Sequence, residues 1–271
     1  MRNPKRTAII IFCLLTLVTC FAAAAHARTA VTIYGDDNYP PYSYMENGRQ
    51  KGIYYELLQA AFARMPEYAV TIQLVPWKRG LVQLENGQGF ALFPPYKLQA
   101  ERPYIEPYSV PFYEENVVVV CRNGIPQNTP EAVWPDDYRG LLFGINIGFH
   151  MGLTSFWQEV RAGRIDVDFS PGTTCSIKKL VQGRIDCYLN DKLAILFEYR
   201  RGIPPSPPSD AGQKPPFSFG PVIATFAAHL GFSADNRLYP FKEDFARELD
   251  IILMDMQKQG DMDRLIRKYL K

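Results

Sequence analysis

The chain has 271 residues, 47% hydrophobic and 21% charged, with 30 Lys and Arg against 28 Asp and Glu for a net charge of +2. A chain of this length buries one large core or two smaller ones. Near-balanced charge leaves no cationic field of the kind that binds nucleic acid, and without a CxxC or HExxH motif a zinc centre has no support.

The first residues read as an export signal rather than as fold. Arg2, Lys5 and Arg6 carry positive charge with no acid nearby, Ala8 to Ala25 is almost wholly apolar, and Ala25–Ala27 spells "AHA", the small-residue pattern of a cleavage site. An uncleaved anchor is the alternative for so long an apolar run. "LVTC", ending at Cys20, is a poor lipid-attachment box, because Thr19 precedes the cysteine. Loss of residues 1–27 leaves 244 residues and removes three cations, taking the charge from +2 to −1. An exported chain meets oxidising conditions. Cys121, Cys175 and Cys187 then remain, and Cys175 with Cys187 is the closer pair in sequence, with free thiols as the alternative.

Strand and helix signals alternate from there. "AVTIYG" is a strand, and "DDNYPPYSY" after it is a proline-stiffened aromatic turn, since proline cannot continue a central strand. "GIYYELLQAAFARM" places Ile53, Leu57, Leu58, Ala61, Phe62 and Met65 on one helical face. "AVTIQLV" is a strand, Pro76 opens the helix "PWKRGLVQLENG", and "FALFPP" is a short buried strand. "ENVVVVCR" is a strand covered on both faces. A second series follows: strand "LLFGINIG", helix "GLTSFWQEVRAG", strand "IDVDFS", helix "TTCSIKKLVQG" and strand "RIDCYLND". Ile203 to Pro216 holds six prolines and reads as a surface loop. "VIATFAAHLGFS" is strand-like, and two amphipathic helices close the chain. Such alternation implies α/β architecture with largely parallel sheets.

Four stretches taken in order, "NYPPYSYMENGRQKGIYYELLQAAF", "VPWKRGLVQLENGQG", "LQAERPYIEPYSVPFYEENVVVV" and "KKLVQGRIDCYLND", resemble the type II periplasmic solute-binding proteins. Among them the chain resembles in particular the polar amino-acid binders of ABC transporters. The resemblance implies a two-lobed α/β fold, each lobe a mostly parallel sheet flanked by helices, with two hinge crossings, near Tyr113–Asn116 and Val222–Phe226. It divides the chain into residues 1–27 as signal peptide, 28–114 as the first part of lobe one, 115–223 as lobe two, and 224–271 as the returning part of lobe one. It also implies a periplasmic monomer without cofactor or metal, which delivers a small amino acid or organic acid to a membrane permease.

The same resemblance names a site. Tyr39 and Trp77 stand where the family has rings on either side of the ligand, each contributing roughly 0.5–1.5 kcal/mol beyond its area burial. Arg102 matches the arginine that grips a carboxylate with its planar fork. Asp191 matches the carboxylate that receives an ammonium group. Gly148, Phe149 and His150 lie in the second-lobe turn whose N–H groups meet the carboxylate. Two departures alter the anion pocket: Pro95 and Lys97 replace small hydroxyl residues before the arginine, and Phe90 replaces an aspartate. Lys97 thereby joins the expected binding residues, and a more acidic solute, or one that is not an α-amino acid, becomes an option. Two other functions share the scaffold. One is an exported cyclohexadienyl-dehydratase-like enzyme, with Glu114, Glu115 or Asp191 as general acid. The other is a ligand-sensing module for a membrane partner.

Overall fold

The computed structural model describes residues 27–126, 128–149, 153–201, 215–235 and 237–270. The leader with Cys20, His150 and the proline-rich segment 203–214 fall outside the described residues, save for Ala27 of the leader. No helix among the described residues is long and apolar enough to cross a membrane.

The elements run in chain order as β1 (Thr29–Asp36), β2 (Asn38–Tyr39), β3 (Ser43–Glu46), β4 (Arg49–Lys51), α1 (Ile53–Phe62), β5 (Tyr68–Val75), α2 (Trp77–Glu85), β6 (Ala91–Phe93), β7 (Ile105–Tyr108) and β8 (Tyr113–Arg122). Then come β9 (Leu142–Asn146), α3 (Thr154–Arg161), β10 (Asp166–Ser170), α4 (Thr173–Val181), β11 (Cys187–Asp191), α5 (Lys192–Arg200), β12 (Phe217–Ala228), β13 (Gly231–Ser233), α6 (Lys242–Lys258) and α7 (Asp261–Leu270). They form two five-stranded sheets, β5-β1-β6-β13-β7 in the first lobe and β10-β9-β11-β8-β12 in the second, plus the small sheet β2-β3-β4.

The sheets are more mixed than the alternation of elements suggests. β1 pairs in parallel with β5 and β6, and β9 with β10 and β11. The strand that carries the chain out of the first sheet, β8, is antiparallel to β11 and to β12, and β13 is antiparallel to β6 and β7. A chain that leaves one lobe and later returns runs its two connecting strands in opposite directions, so this antiparallel pair follows from the connectivity. The valine run of β8 is covered on both faces as expected. Val117, Val119 and Cys121 enter one apolar cluster, and Val118 and Val120 enter another. Period-2 side-chain alternation thus supplies two cores from one strand.

The first-lobe core joins β1 and α1 to the C-terminal helix α6: Ile33, Leu58 and Phe62 pack with Phe245, Leu249, Leu253 and Met256. Phe90 belongs to this core as well, meeting Phe232 and Phe245 at 5.4 and 5.1 Å between ring centroids. The aromatic turn after β1 is itself the three-stranded meander β2-β3-β4, ended by Gly52. That glycine has φ +128°, and a Cβ on it would lie 2.3 Å from the Tyr42 carbonyl oxygen, so no other residue fits the close approach. Helix α5 follows β11 with no intervening loop, and the sequence reading missed it.

The disulfide differs from the pairing suggested by sequence closeness. Cys121 is bonded to Cys187, and Cys175 is free. The antiparallel register of β8 and β11 sets Cys187 directly opposite Cys121, with both side chains in one core. Cys175 sits on α4, on neither of the paired strands, and is half-buried.

Candidate functional site

Between the two sheets lies a cluster of aromatic rings, carboxylates and one guanidinium. β1 ends at Asp36, β2 supplies Tyr39, the loop after β6 supplies Tyr96, and α2 begins at Trp77. In open α/β sheets the crevice beyond the carboxyl ends of the strands is where ligands bind. Asp36, Tyr39, Trp77, Pro94, Tyr96, Arg102 and Phe149 line one cavity.

Tyr39 and Trp77 are buried, yet they do not face each other across open space. Phe149 from the second lobe stands between them, edge-on to Tyr39 at 5.4 Å and to Trp77 at 6.3 Å. Its place depends on Gly148, whose φ of +84° favours glycine and where a Cβ would lie 3.1 Å from the Trp77 indole. Arg102 is buried, with its guanidinium 5.6 Å from the Trp77 ring centroid. It donates across the cleft to the Gly148 carbonyl at 3.4 Å. Neither Glu101 nor Glu106 pairs with it, and among the described residues it has no carboxylate partner.

Two of the expected residues do not line this cavity. Lys97 is exposed, with its ammonium 5.9 Å from the Tyr108 ring centroid, and does not line the cavity. Asp191 is near the cavity, but its carboxylate is already occupied. Oδ1 accepts from the Tyr42 hydroxyl at 2.7 Å and from the Ala194 N–H at 2.9 Å, and Oδ2 accepts from the Asn116 N–H at 3.0 Å. It caps helix α5 and ties the second lobe to the first through Tyr42. Burial raises its pKa above the usual carboxylate value.

Two acids that the sequence reading did not single out for binding complete the cluster. Asp36, at the end of β1, is 4% exposed, and its one hydrogen bond comes from the Asn38 N–H at 2.9 Å. Burial raises its pKa to about 7, against the pull of that N–H. Glu115, on β8, is fully buried and accepts from three phenols: Tyr54 at 2.7 Å, Tyr96 at 2.6 Å, and Tyr39. Burial first and the neighbouring Asp191 carboxylate second push it up to about 8, while the three phenol donors pull the other way. Tyr39 and Tyr96 also line the cavity, so Glu115 fixes two of its walls from behind. The signal for Asp36 lay in "YGDDNYPP", an acid at the very end of a strand. Glu115 had no local signal, because its tyrosines come from three separate elements.

Direct contacts also hold the lobes together. Asn38 donates to the Pro171 carbonyl at 3.3 Å, and Arg201 pairs with Glu46 while lying 5.1 Å from the Tyr44 ring centroid. In this arrangement the cavity offers about 20 Å³, room for about one water and too little for an amino acid.

The model of the bacterial extracellular solute-binding proteins, family 3, matches residues 31–271. Among solved structures, one from the glutathione importer GshT and cystine ABC importer TcyBC system of Streptococcus mutans aligns with a TM-score of 0.71 at 17% identity, covering 90% of this chain and 95% of that one. A histidine kinase sensor domain similar to periplasmic binding proteins aligns with a TM-score of 0.71 at 17% identity, covering 90% and 96%. An ancestral amino-acid-binding protein, a precursor of cyclohexadienyl dehydratase, aligns with a TM-score of 0.64 at 13% identity, covering 89% and 96%. At such identities the likeness is one of fold. No curated protein sequence matches the chain.

Proposed function

The chain belongs to the bacterial extracellular solute-binding proteins of family 3, and from that premise we propose that it captures a small amino-acid-like solute between its lobes, in the periplasm and as a monomer, and delivers it to the permease of an ABC transporter. The lobes comprise residues 28–114 with 224–271, and residues 115–223. One observation carries the reading: Arg102 and Asp36 are buried, oppositely charged when ionised, line the same cavity, and are in no ion pair among the described residues. A buried guanidinium and a buried carboxylate without ionic partners are complementary to a solute that brings its own carboxylate and cationic group. Each charge-assisted contact contributes roughly 1.5–3 kcal/mol, and the aromatic walls add burial, which together approach the ~8 kcal/mol of micromolar binding. Asp36 takes the role of receiving the solute's cationic group, which the resemblance gave to Asp191, whose oxygens serve the fold.

The second lobe supports binding over catalysis. A general acid must reach the leaving group, and Glu115 is fully buried with both oxygens engaged by phenols.

Calorimetric titration of an amino-acid panel across pH tests the proposal. A cationic group beside Asp36 favours its ionised form, which burial alone disfavours below about pH 7. Affinity is therefore expected to rise between pH 6 and pH 8, with a proton released on binding at the lower pH. In Asp36→Asn the affinity falls and the rise with pH disappears. A panel without heat, or an unchanged pH profile in Asp36→Asn, would contradict it.

A further inference from the structure

The cavity is not the whole of the cleft. On the outer side of Arg102 lies a groove of about 690 Å³, between α2 and the 101–104 segment of the first lobe and α3 of the second. Arg102 and Gly148 line both spaces, and the Arg102–Gly148 hydrogen bond stands as the partition between them. This volume is within the ~300–1,000 Å³ range of small-molecule sites.

The chemistry of the groove is specific. Lys78 on α2 and Arg161 on α3 bring one cation from each lobe, and Arg102 makes a third. Glu85 and Glu101 supply two carboxylates, and Tyr104 supplies an aromatic surface. Neither Lys78, Arg161, Glu85 nor Glu101 is in an ion pair among the described residues. Three cations against two anions beside an aromatic surface, separated from the inner cavity by the Arg102–Gly148 hydrogen bond, match an elongated amide with charges of both signs and one extra acidic group.

We propose that the binding site extends past Arg102 into this groove, and that the protein takes solutes of dipeptide or tripeptide size bearing a second carboxylate. The inner cavity receives the cationic end at Asp36. Arg102 meets the solute's first carboxylate at the partition. Lys78 and Arg161 grip the outer carboxylate from opposite lobes, so the longer solute adds a clamp across the mouth of the cleft. The inference rests on the amino-acid-binding reading above and narrows it to a longer solute class.

Titration separates the two. Each of the twenty amino acids X is compared with the dipeptides X-Gly and X-Glu on the wild type and on the Lys78→Ala/Arg161→Ala double variant, with melting temperature as the check on folding. For at least one X, X-Glu is expected to bind at least tenfold more tightly than X, and X-Gly less tightly than X-Glu. The X-Glu to X affinity ratio is expected to drop about tenfold or more in the double variant. Dipeptides that bind no better than X, or a ratio that survives in the double variant, overturn the groove and leave the inner site standing. Binding of dipeptides without any binding of free amino acids upholds the groove and refutes the free amino acid as solute. Silence from every compound overturns both.

Discussion

Replacing Arg102 with alanine is expected to weaken solute binding about 10- to 100-fold in calorimetric titration at neutral pH, with little change in melting temperature. The magnitude follows from losing a charge-assisted, two-pronged contact of roughly 1.5–3 kcal/mol, where each ~1.4 kcal/mol is a factor of ten. Stability changes little because the guanidinium makes no ion pair among the described residues, and its one hydrogen bond ends on a carbonyl at the cleft edge. Arg102→Lys is expected to recover part of the loss. An ammonium restores the charge but not the planar fork or the face-on contact with Trp77. Full affinity in Arg102→Ala would show that the carboxylate is held elsewhere in the cleft.

The second large effect concerns pH and stability. Glu115 titrates near pH 8 in the folded chain against 4.5 for an ordinary glutamate, and Asp36 near 7 against 3.8. Both folded values lie above the unfolded ones, so between them the folded chain holds more protons than the unfolded chain. The stabilising contribution is then fully present below about pH 4 and is lost as pH rises toward 8. At ~1.4 kcal/mol per unit of separation, Glu115 alone accounts for several kcal/mol across the window. For a chain of this size 1 kcal/mol moves the melting temperature by about 2–4 °C. The wild type is therefore expected to melt on the order of 10 °C lower at pH 8 than at pH 5 in the absence of solute. Glu115→Gln keeps the shape, accepts from phenols at its amide oxygen and donates to phenol oxygens from its amide nitrogen, but it does not titrate, so its curve is expected to be markedly flatter. Adding Asp36→Asn flattens it further. Parallel curves for wild type and Glu115→Gln would mean that the carboxylate is not what the folded core protonates.

The frame was legible in the sequence because local patterns dictate it. The apolar face of α1, the proline that opens α2 and the unbroken valines of β8 each fix an element without reference to the rest of the chain. The family likeness then supplied the order of assembly. What the sequence hid depends on register and on distant partners. Cys121 meets Cys187 only because two antiparallel strands align them, although Cys175 is nearer in sequence. Asp191 was expected to receive an ammonium group, and its side chain instead caps a helix because α5 begins without a loop. Lys97 shares a loop with Tyr96, but the loop buries the tyrosine and leaves the lysine at the surface. Trp77 and Tyr39 were recognisable as cleft aromatics, whereas the insertion of Phe149 between them requires the second lobe to be in place.

Co-crystallisation with the solute that titrates most tightly puts the central claim to its most direct test. A carboxylate on the Arg102 guanidinium, with Arg102 released from Gly148, and a cationic group within hydrogen-bond reach of Asp36 is the result this account predicts. A solute lodged outside the cleft, or one inside it that touches neither Arg102 nor Asp36, would contradict it.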